Sequence, residues 1–175
     1  MRSFLITTIA AAGLLLGAAG SAFAAPTYTF ENRQTGGVLS VTGGWQDTGA
    51  AVIDWPYHGG SHQRWTAGTA TTVGTKQYST LIAGHSGKCL DAPTPYFGAR
   101  IVQNPCNGSL GQQWRIERVG GWQEYSYYRF IPRNVEDKGL VAVVSQWTPG
   151  PGQELVLAYK GDVNSKPQHF FLHTF

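Results

Sequence analysis

One arrangement of strands and turns is written three times along this chain, and nothing else in the sequence restricts the fold as much. Each copy has a β-prone strand, a Gly-containing turn, a hydrophobic pair, a Gly/Pro-rich loop, a second strand and a Gln-x-aromatic triplet. The copies read Val38-Leu39-Ser40-Val41 to Gln63-Arg64-Trp65, Cys89-Leu90-Asp91-Ala92 to Gln112-Gln113-Trp114, and Leu140-Val141-Ala142-Val143 to Gln168-His169-Phe170. Leu39, Leu90 and Val141 mark them at intervals of 51 residues. A period of this size, made of strand-length segments with no helical stripe, describes a unit that cannot bury its own apolar face. Three such units closing around a common axis would cover one another's edges.

The local signals agree with an all-β chain. Residues 27–30, 38–41, 51–55, 78–82, 100–103, 127–131 and 140–144 are rich in β-branched and aromatic side chains. Turn-forming clusters separate them at matching places in the three copies, at residues 34–37, 85–88 and 136–139. The repeats span about residues 27–67, 78–118 and 127–173, four short strands in each, with Gly-rich or polar joints at 68–76 and 119–124. The aromatic residues Trp65, Trp114 and Phe170 are expected in a shared core. The adjacent Gln side chains, once buried, must hydrogen-bond nearby backbone.

The first residues read differently. Arg2 precedes an uncharged apolar run from Phe4 to Leu16, and Ala22-Phe23-Ala24 is a small-x-small cleavage site. This is the pattern of a secretory signal peptide over residues 1–24, cleaved after Ala24, and it is too short to span a membrane. The remaining chain, residues 25–175, fits a single secreted, extracellular domain with no membrane span. Cys89 and Cys106, the only two cysteines, fall inside one repeat of a chain bound for an oxidising compartment and read as a disulfide.

Several function classes are disfavoured. The net charge is +3, charged residues make up only 13% of the chain, and no Lys/Arg cluster exceeds two neighbours, so a phosphate-binding groove and a nucleic-acid partner are not expected. No metal or other cofactor is expected either: His58 and His62 are four apart, but Gly59-Gly60 lies between them and no helix would present them together. Gly84-His85-Ser86-Gly87 is not a nucleophile elbow, and no carboxylate pair recurs at matching positions, so an enzyme is not expected. Asn107-Gly108-Ser109 matches a glycosylation sequon, but the Ala/Gly-rich leader has a bacterial character, so it is expected to be unmodified.

The middle copy, with Cys89-Leu90-Asp91, Pro105-Cys106-Asn107-Gly108 and Gly111-Gln112-Gln113-Trp114, resembles the ricin B-chain type lectin repeat. The resemblance covers the chain beyond the leader. It implies a β-trefoil of three pseudo-symmetric four-stranded repeats and recognition of galactose or a related sugar in shallow pockets, without chemistry on the sugar. The family pocket uses an Asp after Cys-Leu, a strand Gln, an aromatic, an Asn and the motif Gln. In the middle repeat Asp91 and Gln112 match, while Val102, Asn104 and Gly111 stand at the other three positions. In the first, Trp55 and Gln63 match, with Ser40, Ile53 and His62 elsewhere. The third would hold Ala142, Leu155, Leu157 and Pro167, keeping only Gln168.

Aromatic residues on the Gly/Pro loops, Trp45, Tyr96 and Trp147, could replace the missing ring. Two readings are open for them: stacking on a sugar, or packing within the protein. Asp91 is likewise either a ligand contact or a turn cap, and His62 either a sugar donor or a turn histidine. The candidate carbohydrate-binding residues are therefore Trp45, Trp55, His62, Gln63, Asp91, Tyr96, Asn104 and Gln112. The expected function is a secreted, non-catalytic lectin-like module with partly eroded pockets, its partner an extracellular glycan or polysaccharide. The alternative is a trefoil that binds a secreted protein, as an inhibitor or as the targeting subunit of a toxin or enzyme.

Overall fold

The computed structural model describes residues 26–145, 150–162 and 164–175; the leader and Trp147 lie outside the described residues. Twelve strands follow one another: β1 (Thr27–Asn32), β2 (Val38–Val41), β3 (Val52–Trp55), β4 (Trp65–Val73), β5 (Lys76–Ala83), β6 (Cys89–Asp91), β7 (Val102–Asn104), β8 (Trp114–Gly120), β9 (Tyr127–Pro132), β10 (Leu140–Val144), β11 (Gln153–Tyr159) and β12 (Phe170–Thr174). Short 3-10 turns punctuate them, and no α-helix occurs among the described residues. No helix there is long and apolar enough to cross a membrane.

The first and fourth strands of each repeat form a closed ring. β1 pairs with β4 and β12, β5 with β4 and β8, and β9 with β8 and β12, all antiparallel. Six strands thus close without a free edge, which removes the template for intermolecular pairing. The second and third strands form three hairpins, β2–β3, β6–β7 and β10–β11, which cap one end. They too are joined in a cycle: β11 pairs with β3, and isolated bridges link Ala51 to Val102 and Arg100 to Val156. The architecture is a β-trefoil.

Its core is built from equivalent positions. Phe30, Leu81 and Phe130 come from the first strands and Trp65, Trp114 and Phe170 from the fourth, all 1% exposed or less. Phe130 meets Phe30 and Phe170 edge-on, with centroids 4.9 and 5.2 Å apart. The motif tryptophans also tie the hairpins to the ring. Trp65 Nε1–H donates to Leu39 O at 3.1 Å and Trp114 Nε1–H to Leu90 O at 2.8 Å. Gly36, Gly87 and Gly139 have φ of 72°, 67° and 66° in the turn between first and second strands, a conformation that favours glycine.

Two sequence expectations are corrected. The joint at 68–76 is largely strand, since β4 and β5 form a long hairpin turning at Gly74-Thr75, and in the joint at 119–124 β8 continues to Gly120 before a 3-10 turn at Gln123–Tyr125. The marker of the third repeat is Ala142, not Val141. Equivalent inter-repeat bonds run from Gly49 N to Gln103 O, Gly98 N to Leu157 O and Gly152 N to Asp54 O, so Asp54, Gln103 and Leu157 are counterparts. Their cross-strand partners are Leu39, Leu90 and Ala142. Val141 instead joins Ile131 and Val143 in a separate apolar cluster, because neighbouring residues of a strand face opposite sides.

Candidate functional site

The motif glutamines organise the loop that borders each pocket. Gln63 Nε2 donates to Pro56 O at 2.9 Å, and its Oε1 accepts from His58 N at 2.9 Å. Gln112 does the same with Pro105 O and Asn107 N, and Gln168 with Tyr159 O and Gly161 N. One amide thus satisfies a carbonyl and an N–H of the same loop in every repeat, the bonding that burial demands. Gln63 and Gln112 are fully buried and Gln168 nearly so. They fix the loop from beneath.

In the first repeat this loop closes one side of an open cavity of about 410 Å³ lined by Ser40, Thr42, Gly43, Ile53, Trp55, His58 and His62. Ser40 and Ile53 are register partners on β2 and β3 and therefore share a face. Trp55 ends β3 and is 41% exposed, leaving ring face available. Trp45 is not among the residues that line the cavity: a Cβ added to Gly43 would lie 2.8 Å from the indole Nε1, so the ring folds over its own loop while staying 58% exposed. Gly43 and Gly44 take φ of 59° and 66° there, and a side chain at Gly44 would also crowd His62 Nδ1 at 3.2 Å.

Two histidines line this cavity, and a third, His85, stands beside one of them. The ring centroids of His58 and His62 are 5.0 Å apart, and those of His62 and His85 are 6.0 Å apart. His58 and His62 meet without a helix to present them, because a 3-10 turn at Ser61–Gln63, held by the Gln63 bonds, folds the Gly59-Gly60 segment back. His85 Nε2 lies 2.9 Å from Trp45 O, and its Nδ1 is buried without a partner. Burial, and then the neighbouring His58 and His85, push the His62 pKa down. Among the described residues no group of three His, Cys, Asp or Glu is placed to hold a metal ion.

The second repeat is arranged differently. Asp91 is 4% exposed, and its Oδ2 accepts from Asn104 Nδ2 at 2.9 Å and from Gln112 Nε2 at 3.2 Å, while Oδ1 is buried without a partner. Its bonds go to Asn104 on β7 and to Gln112 in the 3-10 turn before β8, and neither caps the Pro93-Thr94 turn. Asn104 thus packs against the carboxylate at the place where repeat one presents Trp55. A side chain at Gly111, the counterpart of His62, would meet Ala92 O at 2.5 Å and Asp91 Oδ1 at 2.7 Å. Tyr96 is 60% exposed on its loop, and the disulfide between Cys89 and Cys106 ties β6 to the loop after β7.

In the third repeat the register pairs Val143 with Val156 and Val141 with Ala158. The positions equivalent to Ser40, Ile53 and Trp55 are therefore Val143, Val156 and Ala158, correcting Ala142, Leu155 and Leu157. These residues and Pro167 line a cavity of about 190 Å³, less than half the volume of its repeat-one counterpart. The sequence did not single out His58 as lining a sugar pocket or His85 as standing beside it. The spacing of His58 to Gln63, matched by Asn107 to Gln112, was the signal available for one of them.

The sequence matches the family model described as ricin-type beta-trefoil lectin domain-like over residues 20–94 and 71–158. The chain belongs to that family. Its fold is also that of solved structures. The designed three-fold symmetric protein ThreeFoil superposes with a TM-score of 0.71 at 28% identity, over 83% of this chain and 96% of that one. A ricin B-like lectin of Macrolepiota procera, solved with lactose, gives 0.63 at 24% identity over 83% and 93%. An exo-β-1,3-galactanase of Clostridium thermocellum gives 0.72 at 24% identity over 86% of this chain, which spans only 30% of the enzyme. No curated protein sequence matches. The ricin-type lectin fold supports a carbohydrate-binding module.

Proposed function

We propose that the protein is a secreted, non-catalytic glycan-binding module whose working pocket is that of repeat one. The observation that carries this reading is the cavity that the half-exposed Trp55 lines together with Ser40, Thr42 and His62. An indole face covers the C–H surface of a pyranose, while hydroxyl and imidazole groups exchange hydrogen bonds with its hydroxyls. The motif Gln63 acts from below by holding the loop of His58. In repeat two the Asp91 carboxylate is engaged by Asn104 and Gln112, and in repeat three Val143, Val156 and Ala158 offer neither a ring nor a polar group, so both pockets are eroded. The lactose bound to one structural neighbour and the galactan-cleaving activity of another make galactose-containing glycans the first ligands to try. The disulfide suits the export inferred from the leader.

A glycan array followed by calorimetry tests the proposal. Trp55→Ala is expected to weaken the strongest glycan hit at least ~10-fold, about 1.4 kcal/mol, with the urea midpoint little changed because the ring is half exposed. No binding to any glycan at high protein concentration would reject it. A protein-binding role is the competing reading, favoured by Trp122 and Tyr125, 85% and 71% exposed at the β8–β9 tip. A stoichiometric partner recovered from culture supernatant, insensitive to sugars and lost with Trp122→Ala, would replace the lectin reading.

A further inference from the structure

Resting on the repeat-one reading, we infer that the pocket takes an acidic glycan, its anionic substituent held by the imidazolium groups of His58 and His62 with His85 behind them. The lining contains no carboxylate. Ser40 occupies the register position that Asp91 holds in repeat two, so the pocket has lost the acidic group that would repel an anion and accept from neutral hydroxyls. In its place stand two histidines with centroids 5.0 Å apart, and a third lies 6.0 Å from His62. Three imidazoles that protonate together repel one another. A carboxylate or sulfate ester seated among them supplies the missing counter-charge and accepts their N–H groups.

The surrounding charges leave this role open. The charged neighbours that His62 senses are His58 and His85, with no compensating carboxylate. Asp54, next to Ile53 on β3, faces the other side of the hairpin, where it lies against Gly37 and lines a separate cavity with Thr35 and Pro151. Asp47 is exposed further along the Trp45 loop. Arg64, following the 3-10 turn, places its guanidinium 5.8 Å from the Phe175 ring centroid and adds positive charge. Neither β2 nor the Thr42–Gly44 turn carries a charged side chain. Burial and its two histidine neighbours hold the His62 pKa down, so seating an anion beside the paired rings of His58 and His62 draws a proton onto His62, and affinity rises as pH falls through the histidine range.

Calorimetry with a galacturonic acid oligosaccharide, a sulfated galactan oligosaccharide and a neutral galactan oligosaccharide, each at pH 5 and pH 8, tests this. At least one acidic ligand is expected to bind ~10-fold or more tightly at pH 5 than at pH 8 and to exceed the neutral one at pH 5. His58→Gln with His62→Gln should level the two pH values. Which acidic ligand responds tells a uronate carboxylate from a sulfate ester. Equal binding of acidic and neutral ligands at pH 5 overturns the inference, as does a pH dependence that survives the double substitution or acidic binding that survives Trp55→Ala. Neutral galactan binding that is pH-independent and lost in Trp55→Ala overturns it while leaving the lectin reading intact; no binding by any of the three removes both.

Discussion

His169 should make the protein's stability depend on pH in a way that a single substitution removes. The residue is the middle member of Gln168-His169-Phe170 and is fully buried, whereas its counterpart Arg64 is exposed. Arg129, itself 3% exposed, places a guanidinium nitrogen 3.1 Å from His169 Nε2, and Nδ1 is buried without a partner. Burial first, and then the cations of Arg129 and Arg33, depress its pKa from the ordinary 6.5 to about 4. The folded protein therefore refuses a proton that the unfolded chain accepts between those values. Stability is full above pH 6.5 and falls as pH drops toward 4, by up to about 3 kcal/mol at roughly 1.4 kcal/mol per pKa unit. Urea unfolding followed by fluorescence of the buried Trp65 and Trp114 at pH 7, 6, 5 and 4.5 measures it. His169→Gln keeps an acceptor for Arg129 without titrating. Other titrating groups, among them Asp54, whose pKa burial raises, and Glu117, held low by Arg115 and Lys160 despite its own burial, are shared by both proteins and cancel. The variant's stability relative to the parent should rise by about 2.4 kcal/mol between pH 7 and pH 4.5, short of the full effect because pH 4.5 still lies above the folded-state pKa. Parallel pH profiles would refute the reasoning.

Two further perturbations bear on the fold itself. Replacing Cys89 and Cys106 by Ser releases a loop with a sequence separation of 17 and should cost about 3 kcal/mol on the chain-entropy account; an unchanged urea midpoint would contradict it. Trp65→Phe and Trp114→Phe each leave a hairpin carbonyl, of Leu39 or Leu90, without its indole donor. Each should lose about 1–3 kcal/mol in urea unfolding, and a loss below ~0.5 kcal/mol in both would show that those carbonyls find another donor.

Much of the architecture was legible in the chain because trefoil units carry their own punctuation. The turn glycines 36, 87 and 139, the strand-forming runs and the buried Gln-x-aromatic triplets depend on local conformation and on the cost of burying an amide, and both are properties of short segments. The third repeat's register was not legible. The segment from Phe130 to Ala142 is longer than those from Phe30 to Leu39 and from Leu81 to Leu90, while the stretch from Leu90 to Trp114, at 24, is shorter than the 26 from Leu39 to Trp65. The two changes almost cancel, so the spacing of 51 to Val141 looked regular yet missed by one residue. In a strand that error exchanges the core face for the pocket face.

The candidate site divides in the same way. The resemblance to the lectin repeat placed Trp55, Ser40 and His62 at one pocket, and the pairing of β2 with β3 puts Ser40 on that face. It could not place His85 there, because that side chain arrives from the turn after β5, in the next repeat, and meets His62 only once β5 pairs with β4. Nor could it tell that Asp91 is tied down by Asn104, or that His169 lies inside beside Arg129 while Arg64 lies outside. Chain order determined the strands, the threefold plan and the motif positions; ring closure decided which titratable groups meet, because burial and proximity between repeats exist only in the assembled barrel.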